Sequence, residues 1–353
     1  MSAASLEALM SQVLAPKAKD PIQHCLLAVR GGPQGHDFMH AVGQDGADGE
    51  GVTPQHRFRI GSLSKLFTAT VVLQLWEEGA LNLDAVLFDY LDGPARQRLA
   101  GLHRWQGQDY AAQISLRHLL QHRSGLKDYA AEHRFFQYVM AHPEKQWVWQ
   151  EIIERYVDWG LHEQTWNAPG GDFRYADTNY LLLAVLIEQV TGQSLAQVLR
   201  RRILAPLGMA DTYLEFYELP PSEQPMVYPH YGAQPLAEVN TSFDWGAGGL
   251  VSTLDDLSVY LPALYQGKLL KHPAKALPEL GQGLQQRSTP KHTFVGHRSA
   301  YGSMLFYEPT QDLGIVFTLN QAKAVIKSEW LWKKMIAILE GWAQWTYHGW
   351  NVG

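Results

Sequence analysis

A mainly antiparallel sheet flanked by helices, with an inserted and mostly helical lobe, is the α/β (α+β) architecture this sequence predicts. Three observations lead to it. Strand-like segments lie near both ends of the chain, at residues 22–29 and 37–42 and again at 293–297, 302–308 and 313–319. Residues 129–161 are instead helical and aromatic in pattern, and residues 63–75 form one strongly apolar helix with no polar face. A sheet must bury at least one face against another layer, so strands from both ends imply one sheet shared between them. The expected division is residues 1–80 and 245–353 as the sheet domain and 81–244 as the inserted helical domain. The groove between the two is the natural place for a site.

Bulk properties narrow the function classes. With 353 residues, 46% hydrophobic and 18% charged, the chain has enough apolar content for one large core or two linked ones. A formal net charge of -6 without a lysine/arginine run argues against nucleic acid or an anionic membrane as partner. No stretch approaches the ~18 consecutive apolar residues of a membrane span. The single cysteine, Cys25, excludes an intrachain disulfide and suits a reducing compartment. The N-terminal residues contain Glu7 and lack a basic start, so a cytoplasmic protein is expected.

In chain order, the first residues read as a short amphipathic helix ending near Pro16, followed by a hairpin. Gly61 permits a sharp turn, after which Leu63, Leu66, Phe67, Thr70, Val71 and Leu75 recur at helical spacing. Residues 114–126 read as one compact helix stopping at Gly125. The aromatics Phe135, Phe136, Tyr138, Trp147, Trp149, Tyr156 and Trp159 mark the inserted region, where they would fill its core or line an apolar substrate pocket. A Pro169–Gly171 turn leads to a buried helix capped by Asp177 or Thr178 and ending at Gly192. Residues 217–240 read as a surface loop. A glycine-dense turn then precedes a helix capped by Ser252 or Thr253. A closing helix over 328–345 carries Trp330, Trp332, Ile336, Leu339 and Trp342.

Chemistry concentrates at the Gly61 turn. Ser62 and Lys65 lie three residues apart on one helical face, close enough for an amine to take the serine's proton. The helix N-terminus adds backbone N–H groups near a developing oxyanion. The same S-x-x-K spacing recurs at Ser124 and Lys127, so the motif alone does not choose between a nucleophile and a helix cap. His118 and His122 stand at i and i+4, a zinc-ligand spacing. The glutamate of H-E-x-x-H is absent and no third ligand is evident, which favours buried or capping histidines.

Four segments in order resemble the serine β-lactamase and penicillin-binding-protein superfamily, in its class C-like branch that includes esterases and D-aminopeptidases. They are FRIGSLSKLFTA, ISLRHLLQHRSGL, FRYADTNYLLLAVLIEQVTG with GAGGLVSTLDDL, and VGHRSAYGSMLFYEPTQDLGIVFTLNQ. The resemblance covers about residues 22–345 and selects Ser62 over Ser124. It implies Ser62 as nucleophile, Lys65 as base and Tyr175 as proton shuttle to the leaving group; the base role needs a lowered pKa or a neutral share for Lys65, which burial and a tyrosine neighbour would supply. It places the third family motif at His297, Arg298 and Ser299, and pairs the backbone N–H of Ala300 with that of Ser62 as an oxyanion hole.

The departures from the family pattern carry expectations of their own. Asp177, where asparagine is common, would keep Lys65 charged. His297 would replace a lysine as hydrogen-bond donor or anion contact. Ser299, in place of glycine, would make the binding edge bulkier, and Arg298 would meet a substrate carboxylate. The reaction implied is hydrolysis of a small-molecule ester or amide through an acyl-enzyme, with no cofactor and no metal. An ester is preferred, and the aromatic insertion favours an apolar acyl or alcohol group. A β-lactamase or D-amino-acid peptidase/amidase, and a non-catalytic ligand-binding member of the same fold, are the alternatives. The oligomeric state is open.

Overall fold

A computed structural model describes residues 3–45 and 49–340. Its main sheet has six strands in the order Gln285–Ser288, Thr293–Arg298, Met304–Glu308, Leu313–Thr318, His24–Gly31 and His36–Gly43. Every neighbouring pair is antiparallel, and His24–Gly31 pairs with the much later Leu313–Thr318, from Leu26 opposite Thr318 to Gly31 opposite Leu313.

Side chains alternate across the strands. On one face Leu26, Ala28, Leu305, Tyr307 and Val316 join the large core shared with the inner helices. On the other, Cys25, Leu27, Val29, Met304, Phe306, Ile315 and Phe317 meet the Ala3–Val13 and Val325–Leu339 helices. The closing helix therefore starts three residues earlier than its sequence suggests, and Trp342 to Trp345 lie outside the described residues. Among the described residues no single helix is long and apolar enough to cross a membrane.

The inner layer centres on Ser64–Glu77, buried from Ser64 to Leu75, and on Asp177–Thr191, buried from Thr178 to Ile187. Helices apolar on all sides belong inside a protein. Trp245–Gly248 packs against both. A Cβ on Gly246 would lie 2.5 Å from that of Ala184, so only glycine allows this approach. A second sheet, Tyr213–Leu214, Leu250–Ser252, Arg57–Arg59 and Met226–Val227, ties the strand before Ser62 to two distant segments. The buried Arg59 guanidinium locks it by donating to Glu215 at 2.6 and 3.2 Å and to the carbonyls of Leu236 and Val239.

Three local expectations change. Residues 114–126 are not one helix: a capping box of Ser115 and His118 opens Leu116–Leu120, and His122 then takes a left-handed φ of 54° that no α-helix admits. Neither Asp177 nor Thr178 caps its helix; Ala176 occupies that position without a side-chain bond, because the Asp177 carboxylate turns to Lys65 and the Thr178 hydroxyl donates to the Lys127 carbonyl. Phe135, Tyr138, Trp147 and Trp159 of the insertion pack on one another, while Phe136 turns to Tyr231. Tyr129, Phe135 and Trp147 are fully buried, with Phe135 5.2 Å from both Tyr129 and Phe243 and 5.1 Å from Trp147.

Candidate active site

The strand Arg57–Arg59 ends at Ile60, Gly61 turns the chain with φ 52°, and a single 3-10 turn, Gly61–Leu63, delivers Ser62 to the start of the buried helix. A Cβ on Gly61 would stand 2.3 Å from Ser299 Oγ and 2.9 Å from the Tyr301 ring. Glycine thus does two jobs: it accepts the left-handed conformation and lets the nucleophile turn touch the end of Thr293–Arg298. Gly61→Ala is expected to cost about 1–3 kcal/mol in backbone strain and to reduce acylation by displacing Ser62, read by urea denaturation and burst amplitude.

Ser62 Oγ accepts from Lys65 Nζ at 3.2 Å and from the Tyr175 hydroxyl at 3.0 Å. Lys65 is 1% exposed; its ammonium also donates to the Ala247 carbonyl at 2.8 Å and pairs with Asp177 Oδ1 at 2.6 Å. Burial works against the charge on Lys65, but the Asp177 carboxylate and Tyr175 outweigh it and hold the amine well above its ordinary value. The lowered pKa expected of a base is therefore reversed, as the exchange of asparagine for Asp177 foreshadows. The Tyr175 phenol is pushed up to about 12 by burial of its hydroxyl end, against the pull of Lys65 and with the push of Asp177. At neutral pH both groups keep their protons.

Two further carboxylates surround this centre. Asp128 and Asp244 are each pushed up to about 7, first by burial and then by repulsion from Asp177, with Lys65 opposing. Asp244 accepts the Tyr301 hydroxyl at 3.2 Å, and Asp128 accepts the Ala130 N–H at 3.0 Å. Neither belongs to a motif with a recognisable spacing, so sequence reasoning passed over both. The only signal was an acidic residue beside each of two recognised segments.

The opposite wall differs from expectation. His297 faces the site and is 2% exposed, but its Nδ1 lies 2.6 Å from the Arg298 carbonyl, a pure acceptor. That contact assigns the hydrogen to Nδ1 and leaves Nε2 as a lone pair. Burial, reinforced by Lys65, pulls its pKa down to about 3, so His297 is a neutral acceptor and not an anion contact. Arg298, one residue on, points to the other face of the strand and pairs with Glu329 at 3.5 Å beside the bidentate Arg287–Glu329 pair. It does not meet the site. Ser299 is 6% exposed and its side chain turns to Gly61 and to the Tyr301 N–H, so it adds no bulk to the cleft. Ala300 is exposed at this turn, and no hydrogen bond engages its N–H among the described residues.

The second S-x-x-K is not a second nucleophile. Ser124 is buried and donates to Asn179 Oδ1 at 2.5 Å, while Lys127 lies over the Trp166 ring at 4.5 Å. His118 folds back to accept the Ser115 N–H, and no cluster of potential metal ligands occurs among the described residues.

Comparison with known proteins agrees with the ordered motifs. The Beta-lactamase family model matches residues 27–330. The chain belongs to the Beta-lactamase family. It is 31% identical over 289 residues, 77% of its length, to a D-aminopeptidase from Brucella ovis, of which the match covers 47%. The chain spans less than half the length of the curated relatives it matches first. Among solved structures, a D-stereospecific amidohydrolase from Streptomyces sp. superposes with a TM-score of 0.73 at 24% identity, covering 91% of this chain and 97% of that one. A D-amino acid amidase from Ochrobactrum anthropi SV3 gives 0.73 at 23% identity, covering 95% and 99%. These two show the shared fold. Within the Beta-lactamase family frame, this chain brings the side chains of a serine, a lysine and a tyrosine within hydrogen-bond distance and sets three carboxylates near them.

Proposed function

We propose that the protein is a serine amidohydrolase acting through an acyl-enzyme at Ser62, on small amides whose acyl part carries a free ammonium, the class to which D-amino acid amides belong. The observation that carries the reading is the convergence of Ser62 Oγ, Lys65 Nζ and the Tyr175 hydroxyl within hydrogen-bond distance. The names of the relatives, a D-aminopeptidase and a D-amino acid amidase, support the amide. Charge supports the ammonium: Asp128, Asp177 and Asp244 set up to three carboxylates around the cation of Lys65, and the Arg59 guanidinium that also acts on Asp244 is itself paired with Glu215. A cation entering such a site is attracted before any contact is made. With Phe135, Tyr138, Trp147 and Trp159 packed on one another, these rings fill the insertion's core, and the expected apolar acyl or alcohol pocket loses that support.

In acylation Ser62 Oγ bonds to the carbonyl carbon and the backbone N–H groups of Ser62 and Ala300 receive the oxyanion. The C–N bond then breaks, and the proton given up by Ser62 reaches the leaving nitrogen through the Lys65–Tyr175 pair. Water repeats the sequence on the ester intermediate and releases the acid. No cofactor enters this chemistry.

The test compares D-alaninamide and D-phenylalaninamide with their N-acetyl derivatives and their L enantiomers. A free ammonium paired with a buried carboxylate is expected to be worth at least about 10²-fold in kcat/KM. Equal rates on acetylated amides would remove the ammonium from the proposal. Turnover of p-nitrophenyl acetate with none of any amide would remove the amide.

A further inference from the structure

Tyr175 is exposed over 37% of its surface, yet its hydroxyl must stay within bonding distance of Ser62. What fixes it is His122. The N–H of Arg174, just before Tyr175, donates to the His122 carbonyl at 2.8 Å. The N–H of Ala176, just after it, donates to His122 Nδ1 at 3.2 Å. Between these two anchors the Tyr175 ring lies flat against the imidazole, centroids 4.5 Å apart at 23°. One fully buried residue therefore holds the tyrosine from both neighbouring peptides, with its backbone carbonyl on one side and its imidazole on the other, and the imidazole also covers the ring's face.

This clamp requires one form of the imidazole. Asn179 Nδ2 approaches the same Nδ1 at 3.1 Å. The amide is oriented by Ser124, whose hydroxyl donates to Asn179 Oδ1 at 2.5 Å while accepting the Leu126 N–H at 3.1 Å. With the carbonyl end of Asn179 taken, its NH₂ faces His122. Two donors converging on Nδ1 leave room only for a lone pair, so the hydrogen sits on Nε2, which is buried with no hydrogen-bond partner among the described residues. An unpaired buried N–H costs free energy, and His122 also holds a left-handed backbone. A site that retains both penalties is shaped for something other than packing.

We infer that His122 is a positioning residue for the proton-transfer step, its neutral Nδ1 acceptor set by Ser124 and Asn179, and that it keeps the Tyr175 hydroxyl aligned on Ser62. The second S-x-x-K serine thus serves the first. The inference rests on the role given to Tyr175 under Proposed function. Burial and the nearby Lys65 and His297 also disfavour a charged His122, in keeping with the acceptor form.

The experiment uses leaving groups that differ in their need for a proton. p-Nitrophenolate departs without one, whereas an amide nitrogen cannot. In His122→Leu, kcat on D-phenylalaninamide is expected to fall about 10²-fold, the scale of a 1 Å misplacement, with KM within about twofold, while kcat on p-nitrophenyl acetate falls about tenfold or less. His122→Asn keeps an acceptor where Nδ1 stood and tolerates the left-handed backbone, and should recover most of the amide rate. Ser124→Ala should shift the amide-to-ester ratio in the same direction, by less. Equal losses on both substrates, or no loss in kcat, would overturn the inference. Should His122→Leu fail to fold, the ratio in Ser124→Ala and His122→Asn decides. A wild-type protein that hydrolyses no amide fails the proposed function instead, a result visible before any variant is made.

Discussion

Ser62→Ala is expected to abolish covalent labelling by a fluorophosphonate and to lower kcat/KM by about 10⁴-fold or more, since a catalytic unit deprived of its nucleophile retains only binding and oxyanion stabilisation. Ser124→Ala should still give the full mass adduct, because Ser124 lies buried against Asn179 and never meets the reagent. Intact-protein mass spectrometry separates the two serines in one measurement. A labelled Ser62→Ala protein would show that the geometric convergence at Ser62 is not the reactive centre.

Asp177→Asn should move the rising limb of kcat/KM against pH toward lower pH, by about 1–3 units, the usual effect of one opposite charge at contact distance. In the resting site Lys65 is an ammonium held by the carboxylate 2.6 Å away. A base whose pKa is raised becomes available only at higher pH, so the wild-type protein should gain activity toward the alkaline side. Without the carboxylate, burial favours the neutral amine, and Lys65 releases its proton earlier. The stability arising from the pair follows the opposite course: it is present below the ordinary lysine value of about 10.4 and lost as pH rises beyond it. A profile unchanged by Asp177→Asn would mean that Lys65 does not govern the base.

The nucleophile was legible in the sequence because its signals are local. Gly61, the apolar spacing from Leu63 to Leu75 and the order of the four segments all lie along the chain, and Ser62, Lys65 and Tyr175 meet as that order implies. The opposite wall was less legible because it depends on which face of a strand each residue takes. Alternation sends His297 into the site and Arg298 to Glu329, and a motif placed by resemblance does not count faces. Asp128 and Asp244 were invisible for a different reason. They act through burial and through fields from Asp177 and Lys65, which exist only once distant segments meet. His118 and His122 were read as capping or buried histidines, and so they are; what the spacing could not show is that the left-handed backbone at His122, just past the short helix, sets the ring against Tyr175.

The pairing of His24–Gly31 with Leu313–Thr318 has a consequence for how the cleft comes into being. The Ser62 turn abuts the end of Thr293–Arg298, so the oxyanion wall is absent until some 230 further residues have been made. Contacts of such long sequence separation slow folding, because loop closure must precede the gain. During synthesis, the buried helix following Ser62 waits with its apolar surface uncovered. Pulse proteolysis of ribosome-bound chains should find Ser64–Glu77 cleavable until Asp177–Thr191 and Trp245–Gly248, the segments that pack on it, have emerged. The hydrolytic centre is then complete only once Thr293–Arg298 and the turn after it have joined the sheet, and a chain arrested before Thr293 carries the serine and the lysine without an active site.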